Sequence, residues 1–178
     1  RGNFAMADVS TTQLALIRQL KFCAGHRLYR HESKCAFFHG HNYRVDLEVV
    51  AAKGSHEVDE VGRVVDFSLI KKRMLGWLDD HWDHAFLIYE EDANALAAIQ
   101  MVEPVKYFVM PDNPTAENMA RYLLEVVAPH VLTDLGVVAR QVSLWETSES
   151  CAVATRPEHS VASNPAMPGT AIIKDSRR

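Results

Sequence analysis

Two histidines stand one residue apart in the stretch Cys35-Ala-Phe-Phe-His39-Gly-His41-Asn-Tyr43. On a strand, residues two apart point the same way, so His39 and His41 present both imidazoles to one side. Gly40 between them leaves the opposite face bare, which permits close approach of a backbone or a ligand. Two imidazoles are half of a zinc site, and a catalytic zinc takes three protein ligands and one open position. His26, at the end of the preceding strand-like segment, supplies the third if the two strands pair. Zinc suits an imidazole set better than magnesium or calcium, which favour oxygen. Cys35 lies on the loop entering the second strand, near enough to face the same pocket. By spacing alone, His-X-His also describes a polar pair at a strand end, and the part played by His26 stays open.

A second constellation is Trp82-Asp83-His84-Ala85-Phe86-Leu87. A carboxylate that hydrogen-bonds an imidazole orients it and raises its basicity, an arrangement used in general acid–base work. Asp83 and His84 are expected to reach one pocket, with Asp80-His81 as a rival pair. The alternative is a solvated acidic helix end, with histidines near the C-terminal dipole. Glu146 is the third feature. It lies in register with Val142 and Leu144, so it shares a face with core residues, where an unpaired charge is costly. It is either a strand-end residue that has left the core or a carboxylate awaiting a guanidine-like edge, gripped by two parallel hydrogen bonds.

These residues need elements to hold them. Leu20, Phe22 and Ala24 alternate with Lys21 and Cys23 and lead to Gly25-His26, a strand pattern. Tyr43, Val45, Leu47 and Val49 alternate with polar neighbours, a half-buried strand. Residues 53 to 62 read as a connection and Arg63 to Phe67 as a short strand. Asp66 or Ser68 then caps a helix with apolar positions at Phe67, Ile70, Met74, Trp77 and Leu78. Ala93 to Met101 has helical composition without a clear place. Asn113-Pro114 opens a further helix that should stop before Pro129. Val138, Arg140, Val142, Leu144 and Glu146 form one face of a late strand, and a last strand lies near Cys151 to Thr155. The order does not alternate strand and helix, so an α+β fold is predicted, an antiparallel sheet with helices on one face.

Composition bounds the function. The 178 residues carry 19 Lys and Arg against 23 Asp and Glu, a net charge of −4, which is not the basic footprint of a nucleic-acid binder. At 48% hydrophobic and 24% charged, the chain reads as one globular domain. No apolar run approaches the roughly 18 residues that span a membrane, and no secretory signal is recognisable. Three cysteines, an odd and sparse number, argue against a disulfide framework and for a reducing cytoplasm. Cys23 and Cys151 read as packing residues. Residues 1–5 read as an addition ahead of a start at Met6. The domain is expected over 6–156, with a flexible tail over 157–178 rich in Pro, Ser, Gly and Asn.

Together these segments resemble the 6-pyruvoyltetrahydropterin synthase superfamily, and more narrowly its bacterial 6-carboxy-5,6,7,8-tetrahydropterin synthase branch. The likeness is carried by Ala24-Gly25-His26-Arg27-Leu28, Cys35-X3-His39-Gly-His41, Val65-Asp66-Phe67, Asp83-His84-X2-Leu87, Pro114-Thr115-Ala116-Glu117-Asn118 and Glu146-Thr147. The three-residue gap between Cys35 and His39 is similar to the carboxy branch; the pyruvoyl branch has a longer one. The resemblance implies a tunnelling fold, a four-stranded antiparallel sheet backed by two helices. Three subunits close a barrel, two trimers stack into a homohexamer, and active sites form between subunits. It implies that His26, His39 and His41 bind Zn2+. It implies Cys35 as the proton-abstracting base and Asp83 with His84 as the acid–base pair. Glu146 would anchor the pterin edge, with Thr115 and Thr147 nearby. The expected reaction converts 7,8-dihydroneopterin triphosphate to 6-carboxy-5,6,7,8-tetrahydropterin with loss of acetaldehyde and triphosphate, in the queuosine (deazapurine) pathway. A pyruvoyl-type synthase, an aldolase-like relative, and a non-catalytic pterin- or zinc-binding module are the alternatives. Four departures stand out: Trp82 in place of a usual Leu, Ile88 in place of a common Asn, a longer stretch from Tyr89 to Asp112, and the residues after Arg156. Arg27, Arg30, Lys34 and Lys106 are candidates for the triphosphate, each more readily read as solvated surface charge.

Overall fold

The structure, a computed structural model, describes residues 12–157 and 167–176. The expected addition at 1–5, the start at Met6, and much of the expected tail lie outside the described residues. In chain order the elements are β1 (Ala15–His26), β2 (His39–Ala51), α1 (Phe67–His81), β3 (Ala85–Tyr89), α2 (Ala93–Gln100), β4 (Val105–Met110), α3 (Ala116–Tyr122), α4 (Ala128–Val131), β5 (Val137–Trp145), β6 (Cys151–Thr155) and β7 (Ile172–Lys174). A one-turn 3-10 helix, Lys34–Ala36, sits on the loop between β1 and β2.

β1 and β2 pair antiparallel along their whole length, from Ala15 opposite Val50 to His26 opposite His39. This is the pairing that the third histidine requires. The alternation in β2 holds: Tyr43, Val45, Leu47 and Val49 are buried and meet Leu16, Leu20, Phe22 and Ala24 of β1 in one core. β5 adds to β2, and β6 to β5, both antiparallel. The register slips at Glu48/Val49. That bulge corrects the expected single face of β5. Val142 and Leu144 point into the core, but before the slip it is Val137 and Ala139 that do so. Arg140 is turned to an ion pair with Glu48 instead.

The sheet has seven strands in the order β6-β5-β2-β1-β3-β4-β7 and is mixed, which corrects the expected four-stranded antiparallel form. β3 runs parallel to both β1 and β4. The cause is the stretch from Tyr89 to Asp112. Its residues 93–100 form α2, the crossover that parallel neighbours such as β3 and β4 need. The helices therefore occupy both faces. Leu87, Phe108 and Met110 enter the main core, whereas Ile88 and Tyr107 pack with Ala95 and Ile99 in a second cluster. Successive strand residues point to opposite sides, so α2 covers the face away from α1 and α3. At the edge, β7 pairs antiparallel with β4, so part of the segment expected as a tail is docked.

Asp66 caps α1 by accepting the Ser68 backbone N–H at 2.7 Å. Ile70, Met74, Trp77 and Leu78 are buried as their spacing predicts, while Phe67 stays exposed. No strand forms over Arg63–Phe67. Arg63 pairs with Asp59 at 2.8 Å and with Asp66 at 3.1 Å, which closes the loop before α1. The cap of α3 is Thr115, not Asn113. The helical run also continues past Pro129: a π-helical turn, Leu123–Val127, shifts the register before α4, and proline takes an opening position there. Trp77, Trp82, Phe108 and Tyr122 form an aromatic cluster between these helices and the sheet. Among the described residues, no helix is long and apolar enough to cross a membrane.

Candidate active site

The pairing of β1 with β2 sets His26 beside His39, with His41 one pleat further along β2. One ligand atom from each of the three imidazoles lies within 4.8 Å of those of the other two. Gly25 and Gly40 face each other between them. A Cβ on Gly40 would stand 2.7 Å from the Ala24 carbonyl oxygen, and one on Gly25 would stand 2.5 Å from the Phe86 ring. Both glycines are therefore needed for the strands and Phe86 to close on this spot.

The hydrogen bonds define the tautomers. Nδ1–H of His26 donates to the Pro114 carbonyl at 2.8 Å, and Nδ1–H of His39 donates to the Phe37 carbonyl at 2.8 Å. Each carbonyl can only accept, so in the neutral ring each Nε2 keeps its lone pair. The two Nε2 atoms face each other at 3.1 Å. Two lone pairs so placed call for a positive charge between them. Burial holds His26 down at about 4, with the neighbouring imidazoles of His39 and His41 adding to the effect against the Pro114 carbonyl. Burial also lowers His41. A proton on His26 is thus disfavoured, and backbone carbonyls on the far nitrogens are the usual outer support of metal-binding imidazoles.

Glu146 follows β5, with Oε1 3.9 Å from Nε2 of His26. Burial raises its carboxyl, and the charge of Glu117 raises it further. The hydroxyl of Tyr43 lies 3.4 Å from the His26 ring nitrogens. The Pro-Thr-Ala-Glu-Asn stretch braces this arrangement. Asn113 accepts from the Tyr29 N–H and donates to the Tyr29 carbonyl, both at 2.9 Å, and Asn118 donates to the Asn113 carbonyl at 2.8 Å. The start of α3 is thereby tied to the chain just past His26. Thr115 is engaged as the α3 cap, accepting from the Asn118 N–H at 3.2 Å. The Thr147 hydroxyl accepts from the backbone of Glu149 and Ser150 in the β5–β6 turn.

The second cluster joins Asp83, His84 and Cys23, which reads in the sequence as a packing residue. Asp83 Oδ2 lies 2.6 Å from His84 Nδ1, and Asp83 Oδ1 accepts the Cys23 backbone N–H at 2.8 Å. Burial opposes the charge on Asp83. The Cys23 amide, His84 and Lys106 outweigh it and leave the carboxyl below its ordinary range. His84 has a left-handed backbone, φ 57°, and its N–H donates to the Cys23 carbonyl at 2.7 Å. Lys106 donates to the carbonyls of Asp79 and Asp83 at 2.6 and 2.7 Å, so it buttresses the turn. Arg27 is likewise engaged, with Asp92 at 2.7 Å. His39, His41, Cys23 and His84 line one cavity of about 430 Å³. Cys35 belongs to neither cluster within the chain. It sits half-buried on the 3-10 turn, its carbonyl accepting from Leu28 N–H at 2.8 Å.

Known proteins resemble this chain in sequence and fold. The 6-carboxy-5,6,7,8-tetrahydropterin synthase of Rickettsia conorii is 34% identical over 130 residues, covering 73% of this chain and 91% of that protein. The Rickettsia typhi protein of the same name is 35% identical over 136 residues, covering 76% and 95%. Among solved structures, an uncharacterized protein from Wolinella succinogenes aligns with TM-score 0.68 at 20% identity, over 83% of this chain and 100% of that one. The Caenorhabditis elegans 6-pyruvoyl tetrahydropterin synthase aligns with TM-score 0.58 at 24% identity, over 82% and 97%; both share the fold. The family model described as 6-pyruvoyl tetrahydropterin synthase matches residues 15–157, which span every site residue above, and the chain belongs to that family.

Proposed function

We propose that the protein is a zinc-dependent pterin lyase converting 7,8-dihydroneopterin triphosphate and water to 6-carboxy-5,6,7,8-tetrahydropterin, acetaldehyde and triphosphate, as a step toward deazapurines such as queuosine. The observation that carries the metal centre is the facing pair of Nε2 atoms at 3.1 Å, each imidazole tied through Nδ1 to a backbone carbonyl. The choice of reaction rests on relatives that carry the carboxy-synthase name. His26, His39 and His41 would hold the ion. When bound, zinc supplies Lewis acidity toward side-chain oxygens of the substrate.

The chain's own residues do the rest. Glu146, whose carboxyl burial raises, receives the aminopyrimidinone edge of the pterin as a carboxylate, through two parallel hydrogen bonds. Cys35, as thiolate, takes the proton from the substrate side chain. His84, oriented by Asp83, gives and receives protons as side-chain bonds break. Within one chain Cys35 belongs neither to the three-histidine cluster nor to the Asp83–His84 cluster. In a homohexamer of two stacked trimers, with each site between subunits, the acid–base pair of one subunit would meet the metal and thiol of its neighbour. Three unpaired thiols suit a reducing cytoplasm.

Incubation with 7,8-dihydroneopterin triphosphate, with products identified by mass, tests the reading. The expected result is the carboxy product with acetaldehyde. A 6-pyruvoyl product without acetaldehyde would move the protein to the other branch, glycolaldehyde triphosphate would mark an aldolase, and unchanged substrate would leave a binding module.

A further inference from the structure

We propose that Cys23, Asp83 and His84 form a second divalent-metal site, for an ion of the zinc class, separate from the three-histidine set. Thiolate, imidazole and carboxylate are the donor types that zinc takes. Cys23 Sγ lies 3.7 Å from Nε2 and 3.8 Å from Nδ1 of His84. Two donors on one tetrahedral zinc stand about 3.5 Å apart when one is sulfur and about 3.3 Å apart when neither is. The sulfur–nitrogen spacing therefore already fits.

The backbone fixes two of the donors relative to each other. The Cys23 N–H is bound by the Asp83 carboxylate at 2.8 Å, and the Cys23 carbonyl receives the His84 N–H at 2.7 Å. Lys106 holds the Asp83 carbonyl from the other side at 2.7 Å. The imidazole has to move. At 2.6 Å from Asp83 it is hydrogen-bonded too closely to share an ion, and its side chain, 77% exposed, is free to swing out. Binding displaces the thiol proton to solvent and changes no oxidation state. Asp83 also becomes a ligand in place of the partner that orients His84. On the lyase reading above, on which this consequence rests, the second ion removes the acid–base pair from service. The site would then make the enzyme sensitive to excess zinc.

Cobalt(II) separates the two sites, because the three-histidine set has no sulfur. The assay protein is the full chain, zinc-loaded at one ion per chain, with Cys35→Ser and Cys151→Ser so that Cys23 is the one thiol. Cobalt should then produce a thiolate-to-metal charge-transfer band in the near ultraviolet. The band should vanish when Cys23→Ser is added, and His84→Ala should weaken the cobalt affinity at least tenfold. No band in the Cys23-only protein, or His84→Ala binding as tightly as its parent, would overturn the site. The band does not depend on turnover, so its failure leaves the lyase reading untouched and its appearance does not depend on that reading. In the wild-type enzyme a second equivalent of zinc should slow turnover several-fold, and Cys23→Ser should keep its own rate. A wild-type rate indifferent to the second equivalent would overturn the inhibitory role.

Discussion

At the scale of single residues, the account stands on where protons sit. His26 and His39 each give Nδ1–H to a backbone carbonyl, which leaves Nε2 for a metal. Metal analysis of His39→Ala should find near-complete loss of zinc, whereas full occupancy would sink the ligand assignment. Cys35→Ala should keep its zinc and lose turnover by about 10²–10⁴-fold, the usual size of a proton-transfer contribution. Unchanged turnover would remove Cys35 from the mechanism. Asp83 offers a pH test. Its carboxyl is lowered in the fold, so its stabilising contribution is complete above the ordinary carboxylate range and is lost as pH falls through the lowered value. The denaturant midpoint should be insensitive to Asp83 between pH 7 and 5 and fall below about pH 4. Asp83→Asn should remove that part of the acid slope; an identical slope in the variant would contradict the assignment.

At the scale of elements, the site exists because β1 and β2 come together at two glycines and because α3 starts against His26. Gly40→Ala would place a methyl 2.7 Å from the Ala24 carbonyl, a backbone atom that cannot step aside. A cost of about 1–3 kcal/mol is expected, with weakened zinc binding, read from thermal unfolding and metal affinity. Trp82, fully buried among Phe22, Trp77, Phe108 and Tyr122, carries the turn that presents Asp83 and His84. Trp82→Ala should cost about 3–5 kcal/mol. The two-residue alternation made β2 legible in the sequence, and the apolar steps made α1 legible, because both patterns are local. The bulge at Glu48/Val49 was not legible, since a slip is a property of two strands and β5 alone carries no mark of it. The parallel crossover from β3 through α2 to β4 was missed for a related reason: residues 93–101 looked helical, but only pairing partners tell on which face a helix lies. Cys23 was missed as a neighbour of His84 because the contact spans 61 residues and rests on the β1–β3 pairing.

At the scale of the whole molecule, Cys35 joins neither donor cluster within one chain, while the mechanism needs Cys35, Asp83 and His84 at one substrate. If neighbouring subunits share each site, two inactive variants should rescue each other. Mixed and reassembled Cys35→Ala and His84→Ala chains should recover about a quarter of wild-type activity, the fraction of shared sites that receive both intact halves at random. A mixture as inactive as its parents would place each site within a single chain. The net charge of −4 gives a polyanionic substrate no global attraction. Of the cations first considered for the triphosphate, Arg27 and Lys106 are engaged in holding the fold, so the phosphates must be met by others. The central claim is that the three-histidine centre drives release of acetaldehyde from the pterin triphosphate. Acetaldehyde formation, followed before metal removal, after it, and after zinc is restored, tests that claim most directly. The account predicts loss on stripping and return with one zinc per chain; full release from the stripped protein would contradict it.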